Sequence, residues 1–197
     1  MRAGWVAAVT AVGAVTAVAG CGTGVNSPPE SGLSSSAQAA SPIPPVKNPR
    51  DVTALARRPC ELLTAQQATQ FGLDLPPRQY DAGLGDLGCA WSNTTREQET
   101  IRSIRIDTFT NNPTLEIAYN KDRNRPSFEL TEVSGYPAIV SRTNADLPIC
   151  DIDVKPAERQ SFSLTYEAKE FDNNPQQSCE LAKQVAAAVL MNLPPKS

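Results

Sequence analysis

The sequence predicts an α+β fold: an antiparallel sheet of about six strands, with helices packed on one face and two disulfides. Three observations support this prediction. Several short segments after residue 88 alternate apolar and polar residues, which is typical of strands with one buried face. Helical patterns precede, interrupt and follow these strands, and four cysteines are spread among the elements. Strands grouped in runs, with helices set apart from them, indicate the α+β class.

The first predicted helix begins at Thr64. Thr64 and Gln67 stand three residues apart, as the two members of a capping box do. Gly72 is a typical residue just beyond a helix end, so we expect the helix to end at about Phe71.

Two or three strands are expected after this helix, and two of them have clear patterns. In "CAWSN", Cys89 and Trp91 fall on the same side of a strand because side chains alternate with a period of two. Trp91 is therefore expected in the core, against the disulfide of Cys89. In "SIRIDTF", Ile104 and Ile106 are expected to point inward and Asp107 outward.

The second half of the chain predicts two helices and four strands. Asn112 and Pro113 suit the N-cap and first position of a helix that ends at about Asn120. The last helix, about residues 179–193, gathers its apolar residues on one side, so we expect it to cover the buried face of the sheet. The four strands between these helices begin at about Phe128, Tyr136, Ile149 and Phe162.

The N-terminal residues have the pattern of an exported lipoprotein. Residues 5–19 contain no charge, and as a helix they would span about 22 Å, which is too short for a membrane crossing but typical of a signal peptide. Residues 18–21, "VAGC", which overlap the end of this segment, resemble the bacterial lipobox, in which the cysteine, here Cys21, receives the lipid. We therefore expect a signal peptide over residues 1–20, lipidation of Cys21, a disordered tether over residues 21–50 that is rich in Ser, Pro, Gly and Ala, and one globular domain over residues 51–197.

The four remaining cysteines, Cys60, Cys89, Cys150 and Cys179, are expected to form disulfides, because an even number of cysteines in an exported chain favours oxidation. Three pairings are possible. We predict Cys60 with Cys89 and Cys150 with Cys179, because each pair joins the edge of a predicted helix to a strand nearby in the chain. No C-x-x-C pair and no histidine occurs, so a metal site is not expected.

The segment "DAGLGDLGCAW" contains Gly83, Gly85 and Gly88 in the G-x-G-x-x-G spacing of dinucleotide-binding enzymes. That motif needs an apolar strand before the first glycine and a helix that starts at the third. Here "RQYD" precedes Gly83, and a strand pattern follows Gly88. We interpret the segment as a turn before a disulfide-bearing strand, and no nucleotide cofactor is expected.

Other acidic residues offer weak candidates for chemistry. Asp81 and Asp86 flank glycines but lack the spacing of a calcium loop. Asp151 and Asp153 stand two residues apart, as a carboxylate pair would on one strand face. We expect them on the solvated face, because catalytic carboxylate pairs lie in clefts that raise one pKa. The absence of histidine excludes Ser-His-Asp and Cys-His catalysis, and no S-x-x-K motif occurs.

Five segments of the sequence together resemble a known protein family. The segments "RPCELLTAQQATQFGL", "CAW", "GYPAIV", "CDIDV" and "SCELAKQVAAAVL" are similar to those of the actinobacterial lipoproteins grouped as domain of unknown function 3558. The resemblance covers nearly all of residues 51–193. It implies a cell-envelope lipoprotein that has no assigned activity and no catalytic residues to carry over.

These observations favour a non-catalytic binding or assembly module, held by the lipid on Cys21 at the outer leaflet of the cytoplasmic membrane and facing the cell wall. The expected partners are the membrane and an envelope or secretion-machinery protein. The chain has 18 basic and 21 acidic residues and a formal net charge of −3, with only short basic clusters, so no nucleic-acid partner is expected. The alternatives are a histidine-free cell-wall hydrolase that uses an acid pair such as Asp151 and Asp153, and a lipoprotein that binds an apolar ligand or lipid.

Overall fold

The computed structural model describes residues 41–83, 85–94, 100–125 and 127–197. These residues form one seven-stranded antiparallel sheet with three α-helices. The helices are α1 (Ala65–Gln70), α2 (Thr114–Asp122) and α3 (Gln176–Asn192), and short 3-10 turns occupy Pro59–Leu62 and Lys169–Phe171. The strands are β1 (Arg78–Gly83), β2 (Asp86–Thr94), β3 (Thr100–Phe109), β4 (Glu129–Val133), β5 (Tyr136–Ser141), β6 (Ile149–Ala157) and β7 (Gln160–Ala168).

The sheet joins two meanders. Strands β1, β2 and β3 follow one another, as do β4, β5, β6 and β7, and pairing of β3 with β7 gives the order β1-β2-β3-β7-β6-β5-β4. The α+β class and the antiparallel sheet are confirmed. The strand number is seven where the sequence predicts about six. The additional strand is β1, whose residues "RQYDAG" are mostly exposed because it lies at the edge of the sheet. It therefore lacks the apolar residues that reveal the inner strands.

Helices cover both faces of the sheet, which corrects the prediction that they pack on one face. On β5, Ala138 and Val140 belong to the core cluster under α3, whereas the intervening Ile139 belongs to a separate cluster with Leu115 and Ala118 of α2. Because successive side chains on a strand point to opposite faces, α2 and α3 lie on opposite sides of the sheet. The apolar residues of α2 are too few to reveal this packing in the sequence.

The larger core lies between the sheet and α3. Its largest fully buried side chains are Trp91, Phe162 and Tyr166. Burial of each such aromatic side chain stabilises the fold by roughly 2–3 kcal/mol. Trp91 and Cys89 share this core, as the period of two along β2 predicts. The apolar face of α3 faces the same core, as predicted; its buried apolar residues are Cys179, Ala182, Val185, Ala186, Ala188, Val189 and Leu190.

The smaller core lies under α2 and is reinforced by charge pairs. Lys155 of β6 is almost fully buried, and its Nζ lies 2.9 Å from Glu116 of α2 and 3.1 Å from Glu158. Burial alone would lower the pKa of Lys155, but hydrogen bonds and the charges of the two glutamates outweigh it and raise the pKa. Lys155 therefore remains charged and ties α2 to the sheet.

The structured part of the chain includes residues 41–50, which the sequence assigns to the tether. Ile43 is buried in the α2 cluster. The Tyr136 hydroxyl donates to the Asn48 carbonyl over 2.8 Å, and the Arg50 guanidinium donates to the Leu193 carbonyl over 2.9 Å. The composition of this segment, rich in Pro and Ser, conceals these anchoring contacts, because they depend on partners about 90 and 140 residues away.

Both predicted disulfides are confirmed. Cys60 pairs with Cys89 and Cys150 with Cys179, each across a sequence separation of 29. The first bridge ties the 3-10 turn before α1 to β2, and the second ties the first turns of α3 to β6. Among the described residues, none of the helices combines the length and the apolar composition that a membrane crossing requires.

Candidate functional site

The glycine-rich segment forms a hairpin turn. Gly83, the last residue of β1, and Gly85, which directly precedes β2, adopt positive φ angles of 93° and 85°, and the two strands pair as antiparallel neighbours. Gly88 lies within β2 and is followed by further residues of that strand. A strand therefore precedes the first glycine, but no helix starts at the third, so the segment lacks the helix N-terminus on which a pyrophosphate would rest.

Gly88 has a different role from the turn glycines. The Tyr80 side chain of β1 crosses over Gly88, and its hydroxyl donates to Asp107 Oδ1 of β3 over 2.5 Å. A Cβ atom at position 88 would lie 2.3 Å from that carboxylate oxygen and 2.6 Å from the Tyr80 ring. Burial and the bond to Asp107 raise the pKa of Tyr80 well above its usual range. The Tyr80–Asp107 pair is therefore a structural cross-strand contact.

The carboxylates of Asp151 and Asp153 lie beside α2, which corrects the prediction of a solvated face. Asp151 accepts a hydrogen bond of 2.8 Å from the Thr165 hydroxyl, and Asp153 accepts one from the Ser163 hydroxyl. These are cross-strand neighbours of β6 and β7. An open pocket of about 210 Å³ lies over them; its lining includes Lys121, Asp122, Arg125, Ser141, Thr143, Asp151, Asp153, Ser163 and Thr165.

The environment of Asp153 disfavours its charge. Burial raises its pKa, the hydrogen bond from Ser163 lowers it, and the charges of Asp151 and Asp122 raise it again, to about 6 in total. The positive charge of the nearby Lys121 lowers the pKa of Asp153, but this is the smallest of the effects. A carboxyl group of this kind can exchange a proton near neutral pH.

The other two carboxylates of this pocket, those of Asp122 and Asp151, already interact with neighbouring side chains. Asp122 Oδ1 lies 3.1 Å from Arg125 Nε, and Asp151 accepts from Thr165. Within the described residues, no three Asp, Glu, His or Cys side chains come together as metal ligands. The pocket can therefore hold or release one proton at Asp153, and its remaining polar groups are largely engaged within the sheet and α2.

Two larger grooves lie on either side of α1. We call the first the β2 groove. It has a volume of about 680 Å³, and Leu75 on its wall is 39% exposed. Its lining is mainly apolar, with Trp91 of β2 and the first disulfide at its base; the residues are Cys60, Glu61, Leu63, Thr64, Ala65, Ala68, Thr69, Leu73, Asp74, Leu75, Pro76, Pro77 and Trp91.

We call the second the α3 groove, because α3 forms one of its walls. It has a volume of about 500 Å³, and Met191 on its rim is 70% exposed. The opposite wall comes from α1 and the residue after it, and the floor from β3 and β7; the lining residues are Gln67, Gln70, Phe71, Arg102, Tyr166, Leu181, Gln184, Ala187, Ala188 and Met191.

Two polar groups form the floor of the α3 groove. Arg102 pairs with Glu170 and donates to the Phe71 carbonyl. Tyr166 is fully buried, and within the described residues its hydroxyl has no hydrogen-bond partner. Burial raises the pKa of Tyr166 to about 12, although the Arg102 charge opposes this and the Glu170 charge adds to it. The Tyr166 hydroxyl is therefore a neutral hydrogen-bond donor, and it lies near the Arg102–Glu170 ion pair, in which the two charges balance each other.

The sequence predicts neither groove, although five of the lining residues have structural roles that the sequence predicts: Cys60, Thr64, Gln67, Phe71 and Trp91. The α3 groove draws on α1, β3, β7 and α3, and only the tertiary structure brings these elements together. Its one usable signal in the sequence is Met191, an apolar residue on the polar side of the last helix. The predicted lipidation site, Cys21, lies outside the described residues.

The fold and these surfaces define a small α+β domain, tied by two disulfides, that offers two open grooves and one small acidic pocket. The chain belongs to the family described as protein of unknown function, DUF3558, whose model matches residues 16–192. No match is found among curated proteins or among solved structures.

Proposed function

We propose that the chain is a lipid-anchored protein of the actinobacterial cell envelope that binds another protein without catalysing a reaction. Its anchor would be the lipid on Cys21, at the outer leaflet of the cytoplasmic membrane and facing the cell wall. Support for the anchor comes from the "VAGC" sequence, from the uncharged segment before it and from a family match that includes Cys21.

The observation that carries the binding role is the pair of grooves beside α1. Their volumes, about 680 and 500 Å³, fall within the range of ligand-binding clefts. Each groove exposes a large apolar side chain, Leu75 in one and Met191 in the other. Exposed apolar residues next to concave surfaces are typical of binding sites, because their burial by a partner supplies free energy of association. The proposed partner is an envelope or secretion-machinery protein.

Site-specific photocrosslinking in cells tests this proposal. A benzoylphenylalanine residue at position 75 or 191 should give an adduct of discrete mass with an envelope protein. Ile117 and Leu147 are matched controls, because they are 52% and 45% exposed and line neither groove. The same residue at either control position should give no such adduct. Absence of adducts at both groove positions, or identical adducts at all four, would contradict the proposal.

The acidic pocket supports a second candidate, a cell-wall hydrolase. The observation in its favour is Asp153, whose pKa of about 6 suits a general acid, with Asp151 on the same strand face as the base. Against it, Ser163 and Thr165 already donate to these two carboxylates. The full chain is therefore expected to release no soluble fragments from purified cell walls. Release that disappears in the Asp153→Asn variant would establish the hydrolase instead.

A further inference from the structure

We propose that the α3 groove binds an extended, uncharged peptide segment that inserts a large apolar side chain, and that the Tyr166 hydroxyl donates a hydrogen bond to a backbone carbonyl of this segment. This inference rests on the proposed binding function and names its site and ligand class.

The first reason is the unused donor at the floor of the groove. A fully buried hydroxyl is normally hydrogen-bonded, yet within the described residues that of Tyr166 has no partner. Tyr166 also lines the groove, which places the unpartnered hydroxyl next to its floor. The hydroxyl is closed off from solvent, so the bound segment must part the side chains above it to accept its hydrogen bond. An O–H donor in this position selects a ligand with an acceptor oxygen.

The second reason is the charge of the floor. Arg102 is the one cationic residue of the lining, and it is already paired with Glu170 and with the Phe71 carbonyl. A carboxylate ligand such as a fatty acid would meet a guanidinium whose charge Glu170 already balances, so it would gain little electrostatic attraction. The groove therefore favours a neutral acceptor, such as a peptide carbonyl.

The third reason is the composition of the walls. Gln70 and Gln184 are exposed on opposite sides of the groove, on α1 and α3. A side-chain amide carries both a donor and an acceptor, as a peptide group does, so the two glutamines suit an extended backbone between them. Leu181, Phe71 and Met191 supply the apolar contact for an inserted side chain.

The methionine content provides a direct reporter. The chain has two methionines, Met1 and Met191, and Met191 lies on the rim of the groove. In the full chain labelled with ¹³C at the methionine methyl groups, the Met191 signal can be assigned by its loss in the Met191→Leu variant. A shift of this signal during titration then reports occupancy of the groove.

The probes are acetyl-Gly-Leu-Gly-amide, acetyl-Gly-Gly-Gly-amide and sodium decanoate. The proposal expects a saturable shift of the Met191 signal with the leucine peptide and at least tenfold weaker binding of the glycine peptide and of decanoate. Tyr166→Phe should weaken binding of the leucine peptide by roughly three- to tenfold, as expected for the loss of one hydrogen bond. Tyr119→Phe, on α2, should leave it unchanged.

Thermal unfolding distinguishes a recognition role of the hydroxyl from a structural role. Tyr166→Phe removes a hydroxyl that has no partner, so its midpoint should equal or exceed that of the unaltered chain. A lower midpoint, undiminished peptide binding by Tyr166→Phe, or stronger binding of decanoate than of the leucine peptide would each overturn the inference. A crosslink at position 75 in the β2 groove would still support the broader binding function in these cases.

Discussion

Gly88 allows two side chains from neighbouring strands to meet above it. The Tyr80 ring and the Asp107 carboxylate occupy the space that a Cβ atom at this position would need. The glycine is required by packing, since its backbone lies within a regular strand, whereas Gly85 is required by its positive φ. The glycines of the G-x-G-x-x-G spacing are therefore needed for two unrelated structural reasons, a positive φ angle in the turn and close packing within the strand.

Gly88→Ala should lower the free energy of unfolding by about 1–3 kcal/mol, because the added methyl group displaces the Tyr80–Asp107 contact. Gly85→Ala is the comparison, since a Cβ atom there meets nothing within 4 Å and costs only about 1 kcal/mol through its φ angle. Urea unfolding measures both. Calorimetric titration of the unaltered chain with NAD should show no saturable binding. Saturable micromolar binding that Gly85→Ala abolishes would restore the nucleotide-site interpretation.

The raised pKa of Asp153 predicts a pH-dependent stability. A carboxyl group whose pKa rises from 3.8 to about 6 on folding holds its proton more tightly in the folded chain, so its ionisation opposes folding. This cost is absent below about pH 4, grows as the pH rises from 4 to 6 and is complete above pH 6.

Asp153→Asn should therefore raise the free energy of unfolding at pH 7.5 by about 1–3 kcal/mol, and by much less at pH 4. The range of about 1–3 kcal/mol allows for solvent screening, because the Asp153 side chain is only half-buried. Asparagine preserves the acceptor for the Ser163 hydroxyl, so the comparison isolates the charge. Unfolding by urea at the two pH values measures the effect. An equal change at both values would show that the charge of Asp153 is not its cause.

At the scale of elements, the two disulfides join neighbouring parts of the fold across equal sequence separations of 29 residues. The loop-closure entropy that they remove from the unfolded chain is therefore the same, about 3–4 kcal/mol each. Any difference between the two disulfides in their contribution to stability must therefore come from the folded elements that they join. The Cys60 bridge holds the turn that leads into α1, a helix of six residues that is too short to be stable alone.

Replacement of Cys60 and Cys89 by serine should lower the free energy of unfolding by about 3–4 kcal/mol, and so should replacement of Cys150 and Cys179. Guanidinium unfolding without reductant measures both changes. The first replacement should also abolish crosslinking from position 75, because Cys60 forms part of the β2 groove. The second should preserve it under conditions where the chain remains folded. Loss of the position-75 crosslink in the second variant alone would contradict this assignment.

At the scale of the whole molecule, the proposed anchor decides where the domain acts. In cells that lipidate exported proteins, the unaltered chain should be found in the membrane fraction with a diacylglyceryl group on an N-terminal Cys21. Cys21→Ala should leave this fraction or accumulate as the unprocessed precursor, because no other residue of the expected cleavage motif can carry the thioether. Mass spectrometry of the N-terminal peptide measures the outcome. An unmodified mature terminus, or one other than Cys21, would disprove the anchor.

Much of the architecture could be predicted from the sequence, because it depends on local patterns. Alternation marked strands β2, β3, β6 and β7, the capping box of Thr64 and Gln67 is present as expected, and proximity along the chain was sufficient for the disulfide pairing. Some local details were wrong: Pro113 holds the N-cap position of α2, where Asn112 was expected, and it makes no side-chain capping bond. Element boundaries moved by a few residues because tertiary contacts extend or shorten the ends of helices and strands.

The sequence by itself determined the α+β class, the paired cysteines and the inward faces of β2, β7 and α3, since each of these follows from residue type and period along one segment. Only the tertiary structure decided that α2 covers the opposite face of the sheet, that Asp153 is half-buried there, and that residues 41–50 belong to the domain. The same holds for the α3 groove, whose floor joins Arg102 and Tyr166 from two paired strands and whose rim bears Met191. These features depend on which distant surfaces meet, and the periodicity of a single segment carries no information about its partner.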